Sequence, residues 1–355
     1  MSMNALQEEM ESLEERVLNA LRQVRVGEDG PDVVSAGQVF DVVATGGAVR
    51  VLLDPALIPT ESQEALAETI TPLVESLAGV ELAVVKPRPS SIAQRAALPG
   101  IRHVVAVHSG KGGVGKSTLT ANLAVALTMQ GFAVGLLDAD VYGPSAPTLL
   151  GVGGRAEATE SGDRIQVKTA HGVRMMSLGL LLPEEQALIW RGSLIDEGLP
   201  QLFRDVAWGD LDLLLVDLPP GTSDVHLAVA GYVALSGVIA VTAPGQVSVD
   251  DVRRGLEMFA DLAVPCLGLV ENMAGFSCLK CGHVGALFGS DGGAELTALT
   301  GLPLLASLPF IPAVAVGCDN GDPAARQESG IGAPFHELAR LLVKKLNLES
   351  KAVTA

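Results

Sequence analysis

A glycine-rich loop near residue 110 carries two lysines and has the composition of a loop that holds phosphate. The stretch GKGGVGKST (110–118) fits the pattern G-x-x-x-x-G-K-[ST], with a strand pattern before it and a helical pattern after it. Glycines let the backbone curl so that successive N–H groups point at phosphate oxygens, and the following helix adds its positive dipole end. The sequence therefore predicts a phosphate-binding loop. Its residues are Gly110, Lys111, Gly112, Gly113, Val114, Gly115, Lys116, Ser117 and Thr118.

The second lysine of the loop has a role that the motif itself defines. We expect Lys116 to reach the β- and γ-phosphates of a nucleotide, and the Ser117 hydroxyl to bind Mg²⁺. The motif gives no such role to Lys111, so the loop has one lysine more than the motif requires.

Acidic residues follow two of the apolar strand patterns. Asp217 ends the run LLLVD, where a buried carboxylate is costly unless a cation or hydrogen bonds compensate it, and Mg²⁺ is the natural cation beside a nucleotide. The prolines after Asp217 are expected to hold the Gly221 amide where a γ-phosphate would be sensed. Asp138 and Asp140 end the run LLDAD, and we assign Asp138 to orienting or deprotonating the attacking water. For Asp140 a direct role and a turn role stay equally open.

Two cysteines, Cys278 and Cys281, form a C-x-x-C pair on a glycine-containing loop after another strand pattern. This spacing suits two thiolates that bind one metal or cluster. Zinc sites and Fe–S clusters normally need four ligands, and the chain has no second C-x-x-C. Within the chain His283 and Cys318 stay open as further ligands, whereas Cys266 is expected to be a buried apolar thiol. The pair alone does not choose between zinc and a cluster.

The elements that position these residues alternate between apolar strands and helices from residue 101 onward. This alternation predicts an α/β fold with a mostly parallel sheet and helices on both faces. The predicted strands are HVVAVHS, AVGLLDAD, LDLLLVDLP, GVIAVTAP, CLGLVENM and LPLLASLP. The segment 164–181 is predicted to be a local hairpin excursion between two of them.

A small α+β domain is predicted before this sheet. A helical pattern begins at Leu6, the runs QVFDVVA and AVRVLLD are predicted to form a hairpin, and another helix and the strand ELAVVKP follow. We therefore divide the chain into a small domain (1–88), a proline- and serine-containing linker (89–100) and a P-loop domain (101–350).

Composition narrows the classes of partner. The chain has 355 residues and a net charge of −17, which argues against nucleic acid or anionic lipid as the main partner. No signal-peptide pattern and no apolar run long enough to span a bilayer is evident, so we expect a cytoplasmic protein without a membrane partner. Four cysteines in a chain of this length do not indicate a secreted disulfide framework.

The loop GKGGVGKST resembles the deviant Walker A motif of the MinD/Mrp/nitrogenase iron protein class of P-loop ATPases. This resemblance implies ATP as the nucleotide and gives Lys111 a role. In that class the early lysine of one subunit reaches across a dimer interface to the nucleotide of the partner. A mobile ammonium delivered in this way can neutralise charge on the transferred phosphoryl group, much as an arginine finger does.

Other segments resemble the Mrp/ApbC branch of this class, the Fe–S carrier ATPases. They are the C-x-x-C after ENM, IWRG (189–192), DLPPGTSD (217–224) and LPFIPAVAVGCDNGDP (308–323), and the small domain resembles SufT-related assembly factors. The resemblance implies a homodimer in which two Cys278/Cys281 pairs hold one labile [4Fe–4S] cluster and pass it to apo iron–sulfur proteins. It also implies that Asn272 reads the adenine edge.

Two other functions use a similar ATP site. A MinD- or ParA-like positioning switch could use 335–348 as an amphipathic membrane helix, but its three basic residues, one acidic residue and single aromatic favour packing against the sheet. Such a switch also has no need for C-x-x-C. An ATP-driven electron donor resembling the nitrogenase iron protein would bridge a dimer with a cluster, yet the cysteines of that family lie in different sequence contexts.

Overall fold

The computed structural model describes residues 13–27, 30–45, 48–55, 57–87, 95–141, 143–181, 192–277, 281 and 283–349. The chain divides into two compact units, Met1–Ser91 and Ile92–Ala355, and each is described by itself. Four predicted features lie outside the described residues: the start of the first helix at Leu6, residues 89–94 of the linker, residues 189–191 of IWRG, and Cys278.

In the part that the structure describes, the first unit is a three-stranded sheet packed against two helices. Its elements are α1 (Leu13–Leu21), β1 (Val39–Thr45), β2 (Ala48–Leu53), α2 (Thr60–Glu75) and β3 (Leu82–Pro87). Strands β1 and β2 pair in antiparallel fashion, as the predicted hairpin requires, and β3 runs parallel to β2. Alternate β2 residues, Val49, Val51 and Leu53, are buried with Val17 and Ile70 of the helices, so the sheet has one apolar face toward its helices.

The second unit contains the remaining elements. They are β4 (Ile101–Ser109), α3 (Lys116–Met129), β5 (Val134–Asp138), α4 (Ala146–Leu149), β6 (Lys168–Ala170), β7 (Val173–Ser177), α5 (Gly192–Arg204), β8 (Leu211–Asp217), α6 (Asp224–Tyr232), β9 (Gly237–Thr242), α7 (Gln246–Asp261), β10 (Cys266–Ser277), β11 (Val284–Gly285), α8 (Gly292–Thr300), β12 (Leu304–Phe310), α9 (Pro312–Asp319) and α10 (Ala333–Lys345).

Among the described residues of the second unit, nine strands form one mostly parallel sheet. The order is β11-β10-β9-β4-β8-β5-β7-β6, and β12 also pairs with β10. The β6–β7 and β10–β11 pairs are antiparallel, and the other pairs are parallel. The prediction of a mostly parallel α/β sheet is confirmed. The carboxyl ends of the central strands β4, β5 and β8 meet at one edge, where ligands bind in open sheets of this kind.

Both faces of this sheet are covered, which explains the uniformly apolar strands. In β4, Val105 and Val107 belong to one core while Val104 and Ala106 belong to the other. Helices α3 and α10 complete the first core, and α5, α6 and α7 complete the second. A strand buried on both faces reads as a continuous apolar run rather than as an alternating one.

The segment 164–181 is part of the main sheet and not only a local excursion. Strands β6 and β7 form the predicted antiparallel hairpin, and β7 also pairs in parallel with β5, from Gly135 with Arg174 to Asp138 with Ser177. The buried residues Val173 and Met175 explain the difference, because they fill the same core as α3.

The C-terminal helix α10 packs against the body of the unit, as its composition suggested. Phe335, Leu338, Ala339 and Leu342 are buried in the core that α3 shares. Among the described residues, no helix combines the length and apolar character that crossing a bilayer needs.

Candidate functional site

The predicted phosphate loop connects β4 to α3 at the carboxyl edge of the sheet. Gly113 and Gly115 both have a φ of +81°, a left-handed conformation that glycine adopts without strain, and α3 begins at the next residue, Lys116. The loop lines a cavity of about 220 Å³ with Asp140, Ser145 and Pro220 among its other walls. Loop amides and the N-terminus of α3 therefore face a space suited to an anion.

Lys116 forms a buried ion pair with Asp217 at the base of this cavity. The distance from Lys116 Nζ to Asp217 Oδ1 is 2.8 Å, and the two side chains are 5% and 0% exposed. The same nitrogen donates to Ser117 Oγ at 3.1 Å, and the Thr120 hydroxyl lies 2.9 Å from Asp217 Oδ1. The side chains predicted to hold phosphate and Mg²⁺ are thus brought together at one point.

The second oxygen of Asp217 satisfies the requirement for a cation ligand. Oδ2 is buried and makes no hydrogen bond with any described residue. An ionised carboxylate oxygen is costly to bury without a partner, and a hard cation with oxygen ligands removes that cost. Asp217 Oδ2, with the Ser117 hydroxyl nearby, fits Mg²⁺.

The two aspartates of LLDAD lie in different surroundings. Asp138 is fully buried, and its oxygens accept hydrogen bonds from the amides of Asp140, Ser145 and Ala146 at 3.0–3.1 Å. Burial and the neighbouring Asp217 carboxylate raise the pKa of Asp138 to about 7. Asp140 lines the phosphate cavity instead. Asp140 thus faces the phosphate cavity while Asp138 holds backbone amides beside it, and the water-orienting role of Asp138 stays a prediction.

The Gly221 amide, predicted to sense a γ-phosphate, has a protein partner. It donates to the carbonyl oxygen of Ser109 at 2.8 Å, and Gly221 has a φ of +79°. Ser109 directly precedes the phosphate loop. This hydrogen bond ties the segment after Asp217 to the start of the loop, and a phosphate would have to compete with Ser109 for the amide.

An apolar cavity adjoins the phosphate cavity and shares Gly115 and Thr118 with it. Asn272, Met273 and Phe310 are among its walls. Asn272 lines the cavity as expected for a residue that contacts a base, but its Nδ2 donates to the Val114 carbonyl at 2.8 Å. Asn272 therefore fixes the phosphate loop as well as facing the cavity, a role that the sequence did not reveal.

The described cysteines differ in exposure. Cys281 is exposed, Cys266 is half-buried and Cys318 is buried. Burial raises the pKa of Cys266 to about 11, and burial also raises the pKa of Cys318, whose sulfur accepts a hydrogen bond from Asn122. Among the described residues, no group of three or more His, Cys, Asp or Glu side chains could hold a metal. His283 is exposed and shares no such group with Cys318.

Two comparisons with protein families match the two units. The family described as "NUBPL iron-transfer P-loop NTPase" matches residues 100–343, which is more than half of the chain. The chain belongs to this family. The description "Iron-sulfur cluster assembly protein" matches residues 14–85 in the first unit.

Relatives of this carrier family support the same assignment. An iron-sulfur cluster carrier protein from Helicobacter pylori is 40% identical over 319 residues, covering 87% of this chain and 86% of that protein. A nucleotide-binding protein from Archaeoglobus fulgidus, solved in complex with ADP, is 33% identical with a TM-score of 0.57 over 69% of this chain and 95% of that one. The MinD protein of Pyrococcus horikoshii, at 23% identity and a TM-score of 0.53, covers 70% of this chain and 99% of that one and shares the fold.

A buried histidine pair beneath the phosphate loop of this family member was not predicted. The Ser223 amide donates to His226 Nδ1 at 3.1 Å, so neutral His226 carries its proton on Nε2, which lies 3.3 Å from His108 Nδ1. His108 is then protonated on Nε2, a buried atom that has no partner among the described residues. Single histidines within an apolar strand and a helix carry no sequence signal that they will meet.

Both histidines are held uncharged. Burial, with His226 and Lys116 nearby, lowers the pKa of His108 to about 3, and burial lowers the pKa of His226 to about 4. An unfolded histidine titrates near 6.5. Below that value the unfolded chain binds protons that the native carrier excludes, so this contribution makes the native state less stable as the pH falls from about 6.5 toward 4.

We expect His226→Gln to reduce the acid sensitivity of folding. Glutamine at this helix position can keep the reciprocal capping bond with Ser223 but does not titrate. Between pH 6 and 4.5, the free energy of unfolding of the wild type should fall more steeply than that of the variant, by about 1.4 kcal/mol per pH unit. Asp138 opposes this trend in both proteins, because its raised pKa favours the native state at low pH. Urea denaturation of both proteins across this range measures the difference in slope, and equal slopes would contradict it.

Gly255 is expected to be intolerant of alanine. A Cβ on this α7 residue would lie 2.0 Å from His108 Nε2, in a ring that contacts both His226 and Phe259 and cannot move aside freely. Overpacking of this kind costs about 1–3 kcal/mol of stability. The matched control is Gly231→Ala in α6, where a Cβ meets nothing within 4 Å and should stabilise the helix by about 0.5–1 kcal/mol. Thermal denaturation of the two variants should shift in opposite directions.

Proposed function

We propose that this chain is a Mg²⁺-dependent ATPase whose homodimer binds a labile [4Fe–4S] cluster and transfers it to apo iron–sulfur proteins in the cytoplasm. The observation that carries the proposal is the course of β10. This strand borders the apolar cavity at Asn272 and ends at Ser277, one residue before the C-x-x-C pair. Nucleotide and cluster would therefore bind at two ends of one segment. A reducing cytoplasm would keep the cysteines as thiols.

The nucleotide would span the two adjoining cavities. Its base would enter the apolar cavity, and its phosphates would meet the loop amides and Lys116. Phosphate oxygens would compete with Asp217 for the Lys116 ammonium, which now holds that carboxylate at 2.8 Å. Mg²⁺, bound by Ser117 and Asp217, would neutralise part of the phosphate charge. The ADP complex of the Archaeoglobus fulgidus relative supports a nucleotide here.

Hydrolysis would divide the work between the two aspartates of LLDAD. Asp140 lines the phosphate cavity and is our candidate for orienting the attacking water. Asp138 would act as a positioning residue, since its oxygens hold the amides of Asp140, Ser145 and Ala146. Lys111 also lines the cavity, and we propose that it acts on the nucleotide of the partner chain.

The cluster would be cargo bound by thiolates. Cys281 is exposed, Cys278 directly follows Ser277, the last β10 residue that pairs with β11, and one chain offers only this C-x-x-C. Two copies related by a twofold axis would supply the four thiolates that a [4Fe–4S] cluster takes. A positioning switch, the competing function, has no use for these cysteines.

Anaerobic reconstitution with iron and sulfide tests the proposal. We expect about four irons per two chains, with visible charge-transfer absorbance and a dimer by light scattering. Mixing the loaded protein with an apo [4Fe–4S] acceptor enzyme should restore the activity of that enzyme, and a chelator should not intercept all of the iron. Tight zinc binding with no iron uptake would exclude the carrier function, and ATP hydrolysis without any cluster would favour a switch.

A further inference from the structure

One aromatic side chain, Phe310, lies between the apolar cavity and the β10–β11 hairpin that carries the C-x-x-C pair. Phe310, the last residue of β12, lines the apolar cavity beside Met273. Its ring centroid is also 6.3 Å from that of Phe276 in β10, with an interplanar angle of 48°. Phe276 precedes the C-x-x-C pair by two residues and pairs with Gly285 of β11 across the hairpin.

The other strand of the hairpin leads to the same ring. Phe288 follows β11 by three residues and packs edge-on against Phe310, with ring centroids 6.3 Å apart and an interplanar angle of 76°. Phe310 thus lies between side chains from both sides of the cysteine loop. Offset and edge-to-face aromatic pairs of this kind favour one relative placement of the rings.

The backbone between the cavity and the hairpin is irregular. Met273 has a φ of +60°, which is unusual for a residue with a side chain, and it directly follows Asn272, whose amide holds the Val114 carbonyl of the phosphate loop. The parallel pairing of β10 with β12 shifts register between Asn272 and Phe276. Strain and bulges persist where surrounding contacts hold them, and they often mark segments with a function.

We propose that Phe310 couples nucleotide occupancy to the order of the β10–β11 hairpin. A base in the apolar cavity would contact Phe310 and restrict its ring, and the ring would restrict Phe276 and Phe288 on the two sides of the cysteine loop. This coupling rests on the proposed function for its purpose alone. That purpose would be to let ATP control how tightly the cysteines bind a cluster. Phe310 is a positioning residue here, because no role in the chemistry is assigned to it.

Hydrogen exchange with ADP as the probe tests this coupling without a cluster. In the wild type, saturating ADP should slow amide exchange in the peptide that contains Phe276 and Gly285 by about fivefold or more, the usual lower range for coupled sites. ADP has no γ-phosphate, so contacts that a γ-phosphate would make across a dimer do not enter this test. Protection of the phosphate-loop peptide in the same sample reports that ADP is bound.

Phe310→Ala should lose the ADP-induced protection of the hairpin peptide while its phosphate loop stays protected at saturating ADP. Phe276→Leu provides a second variant outside the cavity, and it should weaken the same effect without changing ADP affinity. Ile331→Ala is the matched control, because Ile331 lines the same cavity but has no ring and takes no part in the aromatic pairs that join Phe310 to Phe276 and Phe288. It should weaken ADP binding yet retain full hairpin protection at saturation.

Two results would overturn the coupling: no ADP effect on the hairpin in the wild type, or an undiminished effect in both phenylalanine variants. Iron content after reconstitution is measured separately on the same proteins. A chain that takes up no cluster but shows the ADP effect would remove the proposed function and leave the coupling in place. A chain that binds a cluster but shows no ADP effect would refute the coupling and leave the proposed function in place.

Discussion

Lys116→Ala is expected to lower ATP affinity by about 100-fold or more and to abolish hydrolysis, because it removes the charged donor to the β- and γ-phosphates. Equilibrium binding of a fluorescent ATP analogue and a phosphate-release assay measure the two losses. The same variant leaves the buried Asp217 carboxylate without its 2.8 Å partner, which should cost about 3–5 kcal/mol of stability.

A double variant separates binding from stability. Lys116→Ala combined with Asp217→Asn removes the unpaired charge, so it should recover much of the lost stability without recovering ATP affinity. Recovery of ATP affinity in the double variant would mean that the single variant had failed through misfolding, and the direct phosphate contact of Lys116 would be refuted.

Lys111→Ala should behave differently, with ATP affinity largely retained and kcat reduced by about 1000-fold, as for loss of a charge-neutralising finger. A mixture with the Lys116→Ala protein tests whether this lysine acts across the dimer. In a mixed dimer the Lys111→Ala chain keeps its own Lys116 and receives Lys111 from its partner. Random exchange should then restore about a quarter of wild-type activity. No recovery, with subunit exchange demonstrated by tagged chains, would assign Lys111 a role in its own chain.

The second large effect concerns the cysteines. Cys278→Ala and Cys281→Ala are each expected to remove the charge-transfer absorbance and nearly all bound iron. Each chain of the dimer then keeps one cysteine of the pair, and two thiolates cannot complete a cluster with four thiolate ligands. Delivery to an apo acceptor should disappear with it. ATP hydrolysis can continue, since Lys116 and Ser117 belong to α3 and Asp217 ends β8, and none of them is on the strand that leads to the cysteines.

Cys266→Ala and Cys318→Ala are the matched controls for this experiment. Burial disfavours the thiolate of both, raising the pKa of Cys266 to about 11 and raising the pKa of Cys318 as well. Their iron content should equal that of the wild type. Loss of the cluster with Cys318→Ala, in a protein that still denatures cooperatively, would instead indicate a ligand set within one chain.

The central strands and the phosphate loop could be predicted from the sequence because their signals are local. A strand buried on both faces is a continuous apolar run, and the loop has a fixed spacing of glycines, lysine and serine. The hairpin 164–181 shows the limit of this reasoning. Its two short strands were recognisable, but their place beside β5 depends on Val173 and Met175 meeting a distant core.

Side-chain partners were less predictable than strands. Nothing local distinguishes Asp138, buried among backbone amides, from Asp140, which lines the cavity two residues later. The same holds for His108 and His226, which are 118 positions apart and meet only because β4 and α6 pack together. Each pairing is a property of the tertiary fold, so a single sequence without its fold does not contain a readable sign of it.

The edges of the nine-stranded sheet restrict how copies of this protein can aggregate. One edge is β6, which has only three residues and begins with Lys168. At the other edge β12 pairs with β10 alone among the described strands, and it carries Pro309, which has no N–H to offer a further strand. Short, charged or proline-bearing edges discourage the addition of foreign strands. Copies of this protein are therefore not expected to associate through the described edges of the sheet.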